Sequence, residues 1–102
     1  MPDEPVKKRL RRAIQAARDV IDSPLGMYRI IEISDPSCPF HLERFRNHQE
    51  KGDEVLKVRV CLDRITDHDL RLCRDYQLPR KVYTKIIFCK LPGAKDYELV
   101  EI

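Results

Sequence analysis

Apolar positions recur along this chain in two rhythms, first every three to four residues and later every two. Val6, Leu10, Ala13, Ile14, Ala17, Val20 and Ile21 fall within one arc of about 120° when wound at about 100° per residue, the pattern of an amphipathic helix with a single core-facing stripe. That helix is expected over 4–22. Asp3 can cap its start, and Pro5 sits in the first turn, where a missing N–H has no intrahelical partner to lose. Ser23-Pro24-Leu25-Gly26 stops it.

The second rhythm begins at 27–34, whose β-branched residues predict a strand. Over 55–62, Leu56, Val58, Val60 and Leu62 alternate with Lys57 and Arg59, a strand with one apolar face. Thr66 opens a second helix, with Asp69 three residues on as a capping box and Leu70, Leu72, Cys73 and Tyr76 along it, ending at Leu78-Pro79. A strand over 81–90, a turn at Pro92-Gly93-Ala94-Lys95 and a closing strand over 96–102 complete a hairpin. The intervening stretch 35–53 is long for a loop in so small a domain. Ser37 as N-cap, Pro39 in a first turn, Phe40, Leu42 and Phe45 as anchors and Gly52 as stop predict a short helix there.

The expected class is therefore α+β: an N-terminal helix followed by β-α-β-α-β-β, a two-layer sandwich with two helices on one face of a four-stranded mixed sheet. Without the 35–53 helix the order becomes ββαββ, a β-grasp-like alternative. The 102 residues make one domain, 1–102, with a basic helix at about 4–22 and a sheet-containing body at about 27–102. A chain of this size buries enough surface to fold without metals or disulfides.

Composition narrows the setting. The chain is 42% hydrophobic and 36% charged, within the globular range, and no run approaches the roughly 20 apolar residues of a membrane span. No apolar stretch follows the basic run 7–12, as a secretory signal requires, and Asp3, Glu4, Asp19 and Asp22 are out of place in a mitochondrial targeting peptide. Four cysteines, Cys38, Cys61, Cys73 and Cys89, fall in strand-like or helical surroundings. They are expected as free thiols of a cytoplasmic protein rather than a disulfide framework.

The net charge of +3 is modest, but its distribution is not even. Residues 5–18 hold six basic side chains and no acid, and 71–90 hold six against Asp75 alone. On the first helix, Lys7, Lys8, Arg11, Arg12 and Arg18 lie opposite the apolar stripe. Cations in a first turn oppose the helix dipole, so Lys7 and Lys8 are not there for helix stability. In the strands, Lys57 and Arg59 share one face, as do Lys81, Tyr83 and Lys85. If both apolar sets look inward, these five lie together on an open face, where cations interleaved with a tyrosine suit a phosphate backbone with stacked bases. The competing reading is an ordinary solvated sheet face with acidic cross-strand partners such as Glu98 or Glu101. The favoured function is a non-catalytic module binding an anionic partner, nucleic acid first, through the helix and the sheet face. An adaptor or inhibitor docking an acidic protein surface is an alternative.

Catalytic and metal signatures are sparse. Cys38, His41 and His48 offer three zinc ligands, but a structural site takes four and the histidines are ill-spaced for one helix face. In Asp67-His68-Asp69 the histidine has a base's neighbours, yet acids are favoured in a helix's first turn anyway. Three glycines form no phosphate-cradling loop, and Ser23, Ser34 and Ser37 fit no nucleophile elbow. Neither cofactor nor metal is expected. A small basic ribonuclease of toxin type is not distinguished from a plain binder by these residues.

One arrangement has a family likeness. A strand, then Cys38-Pro39 opening a helix, then Gly52-Asp53-Glu54-Val55 opening a strand, then Asp63 and the helix over 66–73, resembles the TusA/SirA sulfur-carrier family over about 30–102. The resemblance implies a βαβαββ fold and a persulfide carried on Cys38, with the helix N-terminus favouring a thiolate.

Overall fold

The computed structural model describes residues 6–22, 28–48, 52–77, 83–92 and 96–102. It is an α+β fold that begins with a helix, as expected: α1 (Val6–Ile21), β1 (Arg29–Glu32), β2 (Leu42–His48), β3 (Gly52–Leu62), α2 (Asp67–Asp75), β4 (Tyr83–Lys90) and β5 (Tyr97–Glu101). The five strands form one mixed sheet in the order β1-β2-β3-β4-β5. β1, β2 and β3 are antiparallel neighbours, β4 runs parallel to β3, and β5 returns antiparallel to β4. A parallel pair needs a crossover, and α2 supplies it.

The stretch 35–53 forms β2 rather than a short helix, so the body runs β-β-β-α-β-β. Around a helix Phe40 would lie about 140° or more from Leu42 and Phe45, so the three build no single helical stripe. Leu42 is fully buried opposite Val58, and Glu43 lies opposite Lys57 and pairs with it at 3.0 Å. The His41 imidazole marks where the ladder ends. Its Nδ1 accepts the backbone N–H of Val60 at 2.9 Å, while the backbone N–H of His41 donates to Val58 O at 2.8 Å. Burial, with the Arg59 guanidinium adding to it and Asp69 opposing, holds this imidazole below its usual range.

Alternation along the central strands divides the core between the two faces of the sheet. Leu56, Val58, Val60, Ile86 and Phe88 pack with Ala13, Ala17 and Ile21 of α1. Cys61, Ile87 and Cys89 pack with Phe40 and with Cys73 of α2. Each helix thus covers its own face. The two buried alanines let α1 lie close to β3, while Val20, at the margin of the stripe, stays 39% exposed. Arg44 closes the end of α1 by donating to Ile21 O at 2.9 Å, and its guanidinium lies 4.1 Å from the Tyr28 ring centroid.

At the start of α2 the capping box forms as the sequence suggests: Thr66 Oγ1 accepts from the Asp69 N–H, and the Asp69 carboxylate accepts from the Thr66 N–H and hydroxyl. All four thiols are free. Burial pushes the Cys73 thiol up to about 11 and raises Cys61 and Cys89 as well, which disfavours their thiolates. No described helix is long and apolar enough to cross a membrane.

Candidate anion-binding surface

The ten residues read from the sequence as a basic site separate into two groups with opposite fates. On the sheet, Lys57, Arg59 and Lys85 do share one face, but α2 packs over that face and each cation has partners there. Lys57 pairs with Glu43 at 3.0 Å. Arg59 donates through Nε to the Asp69 carboxylate at 2.9 Å and through Nη1 to Pro39 O at 2.7 Å. Lys85 Nζ reaches the end of α2, donating to Cys73 O at 2.7 Å and Tyr76 O at 2.8 Å, with Arg74 O at 3.4 Å. Those carbonyls have no partner within the helix, and an ammonium complements the negative end of its dipole. The expectation of an open cationic sheet face is therefore corrected for these three residues. Lys81 and the Tyr83 side chain lie outside the described residues.

Asp69 shows how tightly this face is built. Burial alone would raise its carboxyl, but the Thr66 backbone and hydroxyl hydrogen bonds together with Arg59 outweigh it and hold the group below the usual carboxylate range.

On α1 the cations face outward. Lys7, Lys8 and Arg11 are exposed and make no hydrogen bond or ion pair among the described residues. The first turn of the helix contains no acid. Arg12 is exposed too but has an interaction of its own within the chain. Arg18 is half-buried, with Ile30 O at 3.5 Å. Arg9, outside the predicted set, bridges Asp63 at 2.8 Å, both side chains well exposed. Lys7 and Arg11 also border a groove of about 300 Å³ with Leu10, Ile14 and Glu32. The helical spacing that groups these cations was legible in the sequence; the groove beside them, bordered by Glu32 of β1, was not.

Cys38 sits in a turn before β2, not at the start of a helix. Its N–H donates to Asp35 O at 3.1 Å. The helix-terminus setting of a sulfur-carrying thiol is thus not formed, and His41 stands where the sulfur-carrier family has its second proline. Among the described residues no three His, Cys, Asp or Glu side chains are grouped to hold a metal ion; the His48 side chain lies outside them. His68 is exposed on the outer side of α2. Compared with protein-family models, with curated protein sequences and with solved structures, the chain gives no significant match to any.

Proposed function

We propose that this protein is a non-catalytic binding module whose α1 docks an anionic partner, with the phosphate backbone of nucleic acid as the favoured ligand. The observation that carries the reading is the set Lys7, Lys8 and Arg11, exposed and without partners among the described residues, at the end of a helix where cations work against the dipole. Exposed ammonium and guanidinium groups grouped on one side of a helix suit contacts to a phosphate chain, which position without reading bases. Such a module works in a reducing cytoplasm, where free thiols persist.

Three cations set the scale of the salt response. Counterion release gives a slope of about 0.7–0.9 per neutralised phosphate, so affinity falls roughly 20- to 40-fold between about 50 and 200 mM salt. Fluorescence anisotropy with mixed-sequence single-stranded RNA and duplex DNA measures this directly. The Lys7→Glu/Lys8→Glu/Arg11→Glu variant is expected to lose binding at every salt concentration. Undiminished binding by that variant, or none by the unmodified protein at low salt, refutes the proposal.

A second reading, an adaptor or inhibitor docking an acidic protein surface, draws on the groove beside α1. Leu10 and Ile14 offer an apolar floor between Lys7 and Arg11, which a phosphate backbone does not use but an acidic amphipathic segment does. A gently purified sample that carries a protein and shows no excess absorbance at 260 nm favours this alternative.

A further inference from the structure

On the sheet face away from α1, a cleft of about 590 Å³ opens between the turn at 36–39 and the outer side of α2. The turn contributes Pro36 and Pro39, and α2 contributes His68, Arg71, Leu72 and Asp75. Ser37, Cys38, Arg59 and Tyr76 complete the lining.

The two walls are fixed to each other. One guanidinium, that of Arg59, holds the turn through Pro39 O and α2 through Asp69. The turn is braced again where the Asp35 carboxylate accepts from the Ser37 N–H at 2.9 Å and from its hydroxyl at 2.8 Å. Phe40, buried beneath the turn, meets the Tyr76 ring edge-on at 5.6 Å. A cleft whose walls are pinned in this way loses little entropy when it fills.

The donors in this cleft outnumber their internal partners. A guanidinium carries five N–H groups, and Arg59 uses two of them, toward Asp69 and Pro39. Arg71 and His68 lie three residues apart on the same side of α2. Both are exposed and without a partner among the described residues. Beside these donors, Pro36, Pro39 and Leu72 supply apolar walls, and Asp75 is the acid present, one turn beyond Arg71.

We propose that this cleft is a binding site for a small molecule with an oxyanion head, carboxylate or phosphate, gripped by Arg59 and Arg71, and an apolar body lying against Pro36, Pro39 and Leu72. Two guanidiniums converging on one cleft are the donor arrangement that carboxylates and phosphates share. Asp75, one turn from Arg71, disfavours further negative charge on the ligand beside the head, so a single oxyanion is expected. The site is independent of α1 and lies across the sheet from it.

The test uses phenyl phosphate and benzoate as probes, with benzamide as the uncharged control, followed by amide chemical shifts on the intact protein. The expected result is saturable shifts confined to 37–38, 59 and 68–76 with one or both anions, and none with benzamide. Arg71→Ala, an exposed change to a good helix former, is expected to weaken that binding about tenfold or more. The α1 triple-glutamate variant is expected to bind the probe as before, which separates this site from the polyanion surface. Cys38 provides a second readout: a bound probe slows its alkylation by iodoacetamide. Shifts that fail to saturate, that map to α1, that survive Arg71→Ala unchanged or that appear equally with benzamide overturn the proposal. So does a Cys38 alkylation rate indifferent to a saturating probe.

Discussion

Lys57, Arg59 and Lys85 on one side of the sheet and Lys7, Lys8 and Arg11 on the other are the same kinds of residue used for opposite ends. The first three face a helix, a turn and a carboxylate, and all have partners within the chain. The second three face solvent and have none among the described residues. A cation's use is decided by what the fold sets opposite it, and alternation along a strand does not reveal that. The sheet cations hold α2 and the 36–39 turn in place; the helix cations face solvent. If this division is right, substitutions on the two sides differ in which measurement they move.

Arg59→Ala is expected to have the largest effect on folding. It leaves the Asp69 carboxylate, 6% exposed, without its guanidinium and removes the donor to Pro39 O. Losing one partner of a buried pair costs about 3–5 kcal/mol, and the two bonds from Thr66 that Asp69 keeps place this case at the lower end. Urea denaturation followed by circular dichroism measures it. A loss under about 1 kcal/mol would mean that Arg59 belongs with the exposed cations.

His41 gives a change of similar origin, with a pH signature. Its imidazole is held below the ordinary 6.5, first by burial and then by Arg59. As pH falls the unfolded chain takes up the proton before the folded one. Stability is therefore complete above about pH 6.5 and declines below it until the folded imidazole itself titrates. His41→Ala leaves the Val60 N–H without its acceptor, at about 1–3 kcal/mol. It is also expected to abolish the decline between about pH 6.5 and 5, where Asp69, itself held low, does not yet titrate.

Features written in local spacing were readable before the structure. The apolar stripe of α1, the alternation in β3 and the Thr66–Asp69 capping box depend on neighbours within one or two turns, and each formed as expected. The strand β2 was not readable, because what holds it is distant in sequence: Leu42 against Val58, Glu43 against Lys57, and a histidine ring filling the place of a backbone carbonyl. The candidate site followed the same division. Lys7, Lys8 and Arg11 were found because helical period places them on one side. The cleft between 36–39 and α2 was missed because Arg59, which joins its walls, was read as part of an open face.

Lys85 sharpens the comparison with a smaller effect. Its ammonium serves the last carbonyls of α2, and Lys85→Met keeps the aliphatic length while removing the donor. A loss of about 1–2 kcal/mol is expected, together with faster hydrogen exchange in α2 and unchanged exchange in α1. Uniform acceleration in both helices would show that the side chain supports the sheet as a whole.

On α1 the expected effect on folding is the smallest and has the opposite sign. In Lys7→Glu/Lys8→Glu/Arg11→Glu, two of the reversed charges lie in the first turn, where an acid gains about 0.3–1 kcal/mol from the dipole. Glu32, which borders the same groove as Lys7 and Arg11, offsets part of that gain. The variant should therefore melt within a few degrees of the unmodified protein, on the stable side if at all, while losing its polyanion. A variant that instead unfolds more easily would place these cations among the groups that hold the fold together, and the contrast between the two sides of the sheet would disappear with it.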